Sequence, residues 1–112
     1  MIKIFLILIF SIITINASGI VLTQDEIEWL EKNPTIKVGI DPNFAPVEFI
    51  DEDGEFKGVT ADYLKEMEKA LQVKFEIVKN RTWNEIITMV KAKSIDVLSC
   101  IVETPQRSEY LD

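Results

Sequence analysis

The sequence predicts an α/β fold, a mostly parallel sheet with flanking helices, on three observations. Short apolar strands alternate with amphipathic helices long enough to cross back over a sheet. A single Asp-Gly turn sits between apolar pairs and marks one hairpin among them. The last apolar run, "IDVLSCIV", is nearly continuous, as expected of a strand covered on both faces.

Taken in order, "LTQDEIEWLEKNP" reads as a short helix. Thr23 and Glu26 have the spacing of a capping box, and Asn33-Pro34 stops the helix. "TIKVGI" sets Ile36, Val38 and Ile40 against Lys37 and Gly39, the alternation of a strand. "DPNFAP" reads as a loop fixed by two prolines, and "VEFIDEDGEFKG" as a hairpin turning at Asp53-Gly54. "TADYLKEMEKALQ" gathers Tyr63, Leu64, Met67, Ala70 and Leu71 on one helical face. "VKFEIVK" is a strand with Val73, Phe75 and Ile77 inward. "TWNEIITMVKAK" is a helix capped by Thr82 and Glu85, with Trp83, Ile86, Ile87 and Val90 on its buried side. After "IDVLSCIV", Thr104 reads as an N-cap, with Pro105 at the first helical position and Arg107 in the first turn.

At 112 residues the chain is bounded to one domain. Its first residues, "MIKIFLILIFSIITINASG", combine a basic start at Lys3, an apolar run, and small residues at Ala17, Ser18 and Gly19. That is the layout of a secretory signal peptide over residues 1–18, and the apolar stretch is short for a membrane span of about 20 residues. Without those residues, which hold one lysine, the formal charge of −7 becomes −8. An acidic domain with scattered charges has no electrostatic footprint for nucleic acid. Cys100 is the only cysteine and reads as a small buried hydrophobe; with no cysteine beside the signal, a lipoprotein anchor is excluded.

Histidine is absent, which removes the commonest general base and the commonest metal ligand. Gly39, Gly54 and Gly58 are too far apart for a phosphate-binding loop. A calcium loop with Gly54 at its sixth position would begin at Phe49 and end at Thr60, neither of them a carboxylate. The residues therefore imply no catalysis, metal or cofactor. They point instead to the carboxyl ends of the strands, where open α/β sheets bind ligands. "DPNF", "NRTW" and "VETPQR" fall at that edge and bring an acid (Asp41), two aromatics (Phe44, Trp83) and an arginine (Arg107). A small zwitterion suits this set, with aromatics for its body and a guanidinium fork for its carboxylate.

Residues Leu22 to Asp112 resemble the first part of a family 3 extracellular solute-binding protein, the bilobed Venus-flytrap class. The resemblance is carried by "IKVGIDPNFAPVEFIDEDGEFKGVTADYL", "TWNEIITMVKAKSIDVL" and "TPQRSEYLD". The opening "LTQDEIEWLEKNPTIKVGIDPNFAPVEF" is similar to sensor domains fused to histidine kinases or diguanylate cyclases. The resemblance implies that Arg107 pairs with a ligand carboxylate, that Thr104 opens its helix, and that Asp41, Phe44 and Trp83 line the ligand. Cys100 and Val102 fall at ligand-lining positions where glycine and a hydroxyl residue are usual, and Val47 replaces a frequent aromatic. It also implies that residues 19–112 are a partial solute-binding domain, a first-lobe portion truncated at the crossover to a second lobe. The implied partners are a small carboxylate or zwitterionic solute and either a membrane permease or a downstream kinase or cyclase module. The alternative is the non-catalytic N-terminal domain of a periplasmic enzyme, such as a lytic transglycosylase or a dehydratase.

Overall fold

The computed structural model describes residues 19–112, so the expected signal peptide at 1–18 lies outside the described residues. Helix α1 (Gln24–Lys32) opens with the capping box foreseen for it. The Thr23 side chain accepts from the Glu26 amide, and the Glu26 carboxylate accepts from the Thr23 amide at 2.7 Å. No residue of α1 is fully buried, and Leu30 alone leans on the core.

The central strand is β1 (Thr35–Gly39). It pairs in parallel with β5 (Lys74–Ile77) on one side and with β6 (Val97–Leu98) on the other. The connections between these strands contain α2 (Val59–Leu71) and α3 (Trp83–Lys91), as the βαβ reading requires. The period of two places Ile36, Val38 and Ile40 on one face of the sheet, where they bury with Leu64, Val73 and Phe75. Gly39 points the other way. A Cβ there would lie 2.9 Å from both Ile86 Cγ2 and Leu98 Cδ2, so only glycine lets the fully buried Ile86 of α3 settle on the sheet.

A second, antiparallel sheet is inserted after β1. It consists of β2 (Asn43–Phe44), β3 (Glu48–Ile50) and β4 (Phe56–Lys57) in that order. The hairpin between β3 and β4 is as expected, but its turn is wider than an Asp-Gly pair. Asp51 closes it, accepting through Oδ1 from the amides of Asp53 and Glu55. The "DPNFAP" stretch is not wholly a loop, because Asn43 and Phe44 pair with Phe49 and Glu48.

Three further expectations are corrected. Only Val97 and Leu98 of "IDVLSCIV" form a strand, and Val97 is 44% exposed, so the run is not covered on both faces. On α2 the buried positions are Ala61 and Leu64, whereas Tyr63 and Met67 face solvent. Tyr63 and Met67 fall one turn apart on the edge of the apolar stripe, and both are exposed among the described residues. Residues after Thr104 form hydrogen-bonded turns rather than a regular helix, with Ser108 donating to Thr104 and Leu111 to Arg107.

Helix α2 has no side-chain cap. Its first amides donate instead to the turn between β2 and β3, Val59 to the Pro46 carbonyl at 3.3 Å and Thr60 to the Val47 carbonyl at 3.1 Å. This satisfies donors that a helix start otherwise leaves open. The approach depends on Gly58, whose φ of 113° lies where side chains are strained.

Candidate functional site

Each strand of the parallel sheet ends near one cleft. After β1 come Asp41 and Phe44, the latter held on β2. After β5, the Thr82 capping box starts α3 at Trp83; the Thr82 side chain accepts from the Glu85 amide, and the Glu85 carboxylate accepts from the Thr82 amide at 2.7 Å. These bonds, the backbone one first and the hydroxyl second, hold the Glu85 carboxyl below its ordinary value. After β6 come Cys100, Ile101 and Val102, then the turns that carry Arg107.

Asp41, Phe44, Trp83, Cys100, Val102 and Arg107 line the cleft together with Ile101, around a volume of about 140 Å³. Six of the seven residues singled out from the sequence thus share one surface. Thr104 is not among the lining residues. Its hydroxyl accepts from the Arg107 amide at 3.2 Å, so it orients the chain beneath the arginine rather than facing the cleft.

Arg107 is half-buried, and its guanidinium carbon lies 6.0 Å from the centre of the Trp83 ring. Nη1 donates to the Val102 carbonyl at 2.8 Å. The ion pairs among the described residues are Lys69–Glu66 and Arg81–Glu85, so no carboxylate of the described chain neutralises Arg107. Asp41 likewise has no cationic partner there; its Oδ1 accepts from the Asn43 amide two residues on. A cleft that presents one unpaired cation, one unpaired acid and two aromatics can take a small molecule bearing both charges. Cys100 is half-buried with a free thiol, which differs from the fully buried hydrophobe expected of it.

Sequence reasoning missed Glu48, which is completely buried. Its Oε1 accepts from the Asp41 amide at 2.7 Å, and Oε2 accepts from the hydroxyls of Thr60 and Ser99. A signal was available in the strand period: Ile50 packs on the core, and position 48 shares its face.

Residues 36–112 match the family model described as "Bacterial extracellular solute-binding proteins, family 3". The histidine-binding periplasmic protein of Escherichia coli K12 is 33% identical over 77 residues, which are 68% of this chain and 29% of that protein. The virulence sensor protein BvgS of Bordetella pertussis is 26% identical over 86 residues, 77% of this chain and 7% of that protein. The crystal structure of the BvgS periplasmic domain superposes with a TM-score of 0.73 at 24% identity, covering 80% of this chain and 17% of that one, a likeness of fold. The arginine-bound form of domain 1 from TmArgBP gives a TM-score of 0.62 at 30% identity, covering 72% of this chain and 64% of that one. The chain therefore spans less than a third of the curated relatives it matches. With more than half of its length matched to the family model, the chain belongs to the bacterial extracellular solute-binding proteins, family 3.

Proposed function

We propose that this domain binds a small, amino-acid-like solute outside the cytoplasm through the solute's carboxylate. It serves either a transporter, through a membrane permease, or a sensory receptor, through a downstream kinase or cyclase module. The observation that carries the reading is Arg107, a cation in the cleft with Trp83 beside it and no carboxylate to pair with among the described residues. In this reading Arg107 holds the carboxylate, Asp41 faces the ammonium, and Phe44 and Trp83 flank the body. Cys100 and Val102 complete the wall, and Thr104 sets the turn under Arg107. Residues 1–18 act as the export signal, and residues 19–112 as the first-lobe portion of the domain.

The names of the relatives are consistent with it: one binds histidine, one is a sensor, and one is a single domain with arginine bound. The cleft, at about 140 Å³, is smaller than the ~300–1,000 Å³ of enclosed small-molecule sites. The chain alone is expected to bind no tighter than about millimolar, near −4 kcal/mol.

A thermal-shift panel of amino acids, their decarboxylated amines, simple carboxylates and sugars tests the reading, because any ligand of the folded state raises its melting temperature. Compounds that stabilise the chain should share a carboxylate. A panel in which sugars or amines stabilise and no carboxylate does would refute it.

A further inference from the structure

Glu48 is the one fully buried charged or polar side chain among the described residues. It has no cation within ion-pair distance among them. A carboxylate buried without a counter-charge is costly, and a well-packed apolar residue in its place is often neutral or stabilising. Core stability alone therefore does not account for it.

Its three partners lie 7, 12 and 51 residues away, so it is no local turn device. Thr60, at the start of α2, donates to Oε2 at 3.0 Å and anchors the carboxylate to a rigid helix. From that anchor the group reaches two strips of the cleft. Oε1 receives the Asp41 amide, and the backbone of Glu48 is paired with Phe44 across β2 and β3. Oε2 also receives the Ser99 hydroxyl, immediately before Cys100, Ile101 and Val102.

We infer that Glu48 is a positioning residue of the cleft, its carboxylate fastening the strip of Asp41 and Phe44 to the strip of Cys100 and Val102. The inference rests on the proposed binding role only for its consequence for affinity; the fastening itself is a property of the chain without ligand. Charge strengthens each of the three bonds, and the one group carries the connection past the end of the β1–β6 pairing, whose last backbone bond runs from the Ser99 amide to the Gly39 carbonyl at 3.2 Å.

The test is amide hydrogen exchange by NMR on the wild-type chain, Glu48→Gln and Ser99→Ala, with L-arginine titrated as the probe. Glutamine keeps the shape and removes the charge. Glu48→Gln should speed exchange several-fold at Asp41 and over 99–102, while α3, capped separately by Thr82, keeps its rates. Ser99→Ala should loosen 99–102 alone. Affinity for L-arginine should fall by about tenfold in Glu48→Gln, roughly the loss of one good interaction. Unchanged strips, or acceleration spread evenly over α3 and the sheet, would overturn the positioning role whether or not L-arginine binds. Loosened strips in a chain that takes up no L-arginine would uphold that role and remove arginine from the solutes of the proposed function.

Discussion

The guanidinium of Arg107 lies 6.0 Å from the centre of the Trp83 ring and donates to the Val102 carbonyl at 2.8 Å. One aromatic face and one carbonyl hold the fork, and they come from two elements that bracket the cleft. An arginine has five N–H donors, so most remain for an incoming anion. Trp83→Ala should therefore weaken carboxylate binding by about 1–2 kcal/mol, the scale of a partly desolvated cation–π contact. Trp83→Phe should retain part of it. Relaxation of the Arg107 Nε–H in NMR reports the cause directly, since the side chain should become more mobile in the alanine variant.

Export is checked at the N-terminus. Ala17, Ser18 and Gly19 follow the apolar run, so N-terminal sequencing of secreted protein should begin between Ser18 and Ile20. An intact Met1 recovered from the membrane fraction would contradict an export signal.

The start of α3 should be sensitive to acid. The Glu85 carboxyl is held below its ordinary value of 4.5, first by the Thr82 amide and then by the Thr82 hydroxyl. A carboxyl with a depressed folded value stabilises fully above its unfolded value, and the contribution is lost as pH falls through the folded one. The melting temperature of wild type minus that of Glu85→Gln should thus be largest at neutral pH and shrink below about pH 4.5. At neutral pH Thr82→Ala should cost about 1 kcal/mol by removing the cap itself.

Gly58→Ala should destabilise the chain by more than about 1 kcal/mol, since glycine alone suits this backbone. At a φ of 113° an added Cβ would run into the Val47 carbonyl and lie 2.9 Å from that of Pro46. These two carbonyls cap α2, so chemical denaturation should show a lower midpoint together with faster amide exchange at Val59 and Thr60.

Local signals were the legible ones. Thr23 with Glu26 and Thr82 with Glu85 form their boxes from residues three apart, and the alternation of Ile36, Val38 and Ile40 reports the core face directly. The cleft was largely legible too, because the ends of parallel strands converge whatever the loops do. What escaped was decided over distance. Glu48 is buried by groups up to 51 residues away, and Asn43 and Phe44 become a strand only because β3 lies beside them. Val97 kept an apolar identity but not a buried place, although Phe75 on the opposite edge strand is buried. Thr104 makes the cap bond read from its spacing, its hydroxyl accepting from the Arg107 amide, but the residues beyond it stay as turns and do not extend into a helix.

The central claim, that Arg107 receives a solute's carboxylate, is tested most directly by a cycle that removes each partner in turn. L-arginine and agmatine, which differ by the carboxylate, would be titrated by NMR into wild type and into Arg107→Ala. If the two groups meet, losing either should cost about 2 kcal/mol, near the low end for close charge pairs because the cleft is open. Losing both should then cost little more than losing one, and Arg107→Lys should recover only part, since the bidentate fork is gone. Additive losses, or agmatine binding wild type as well as L-arginine does, would contradict the account.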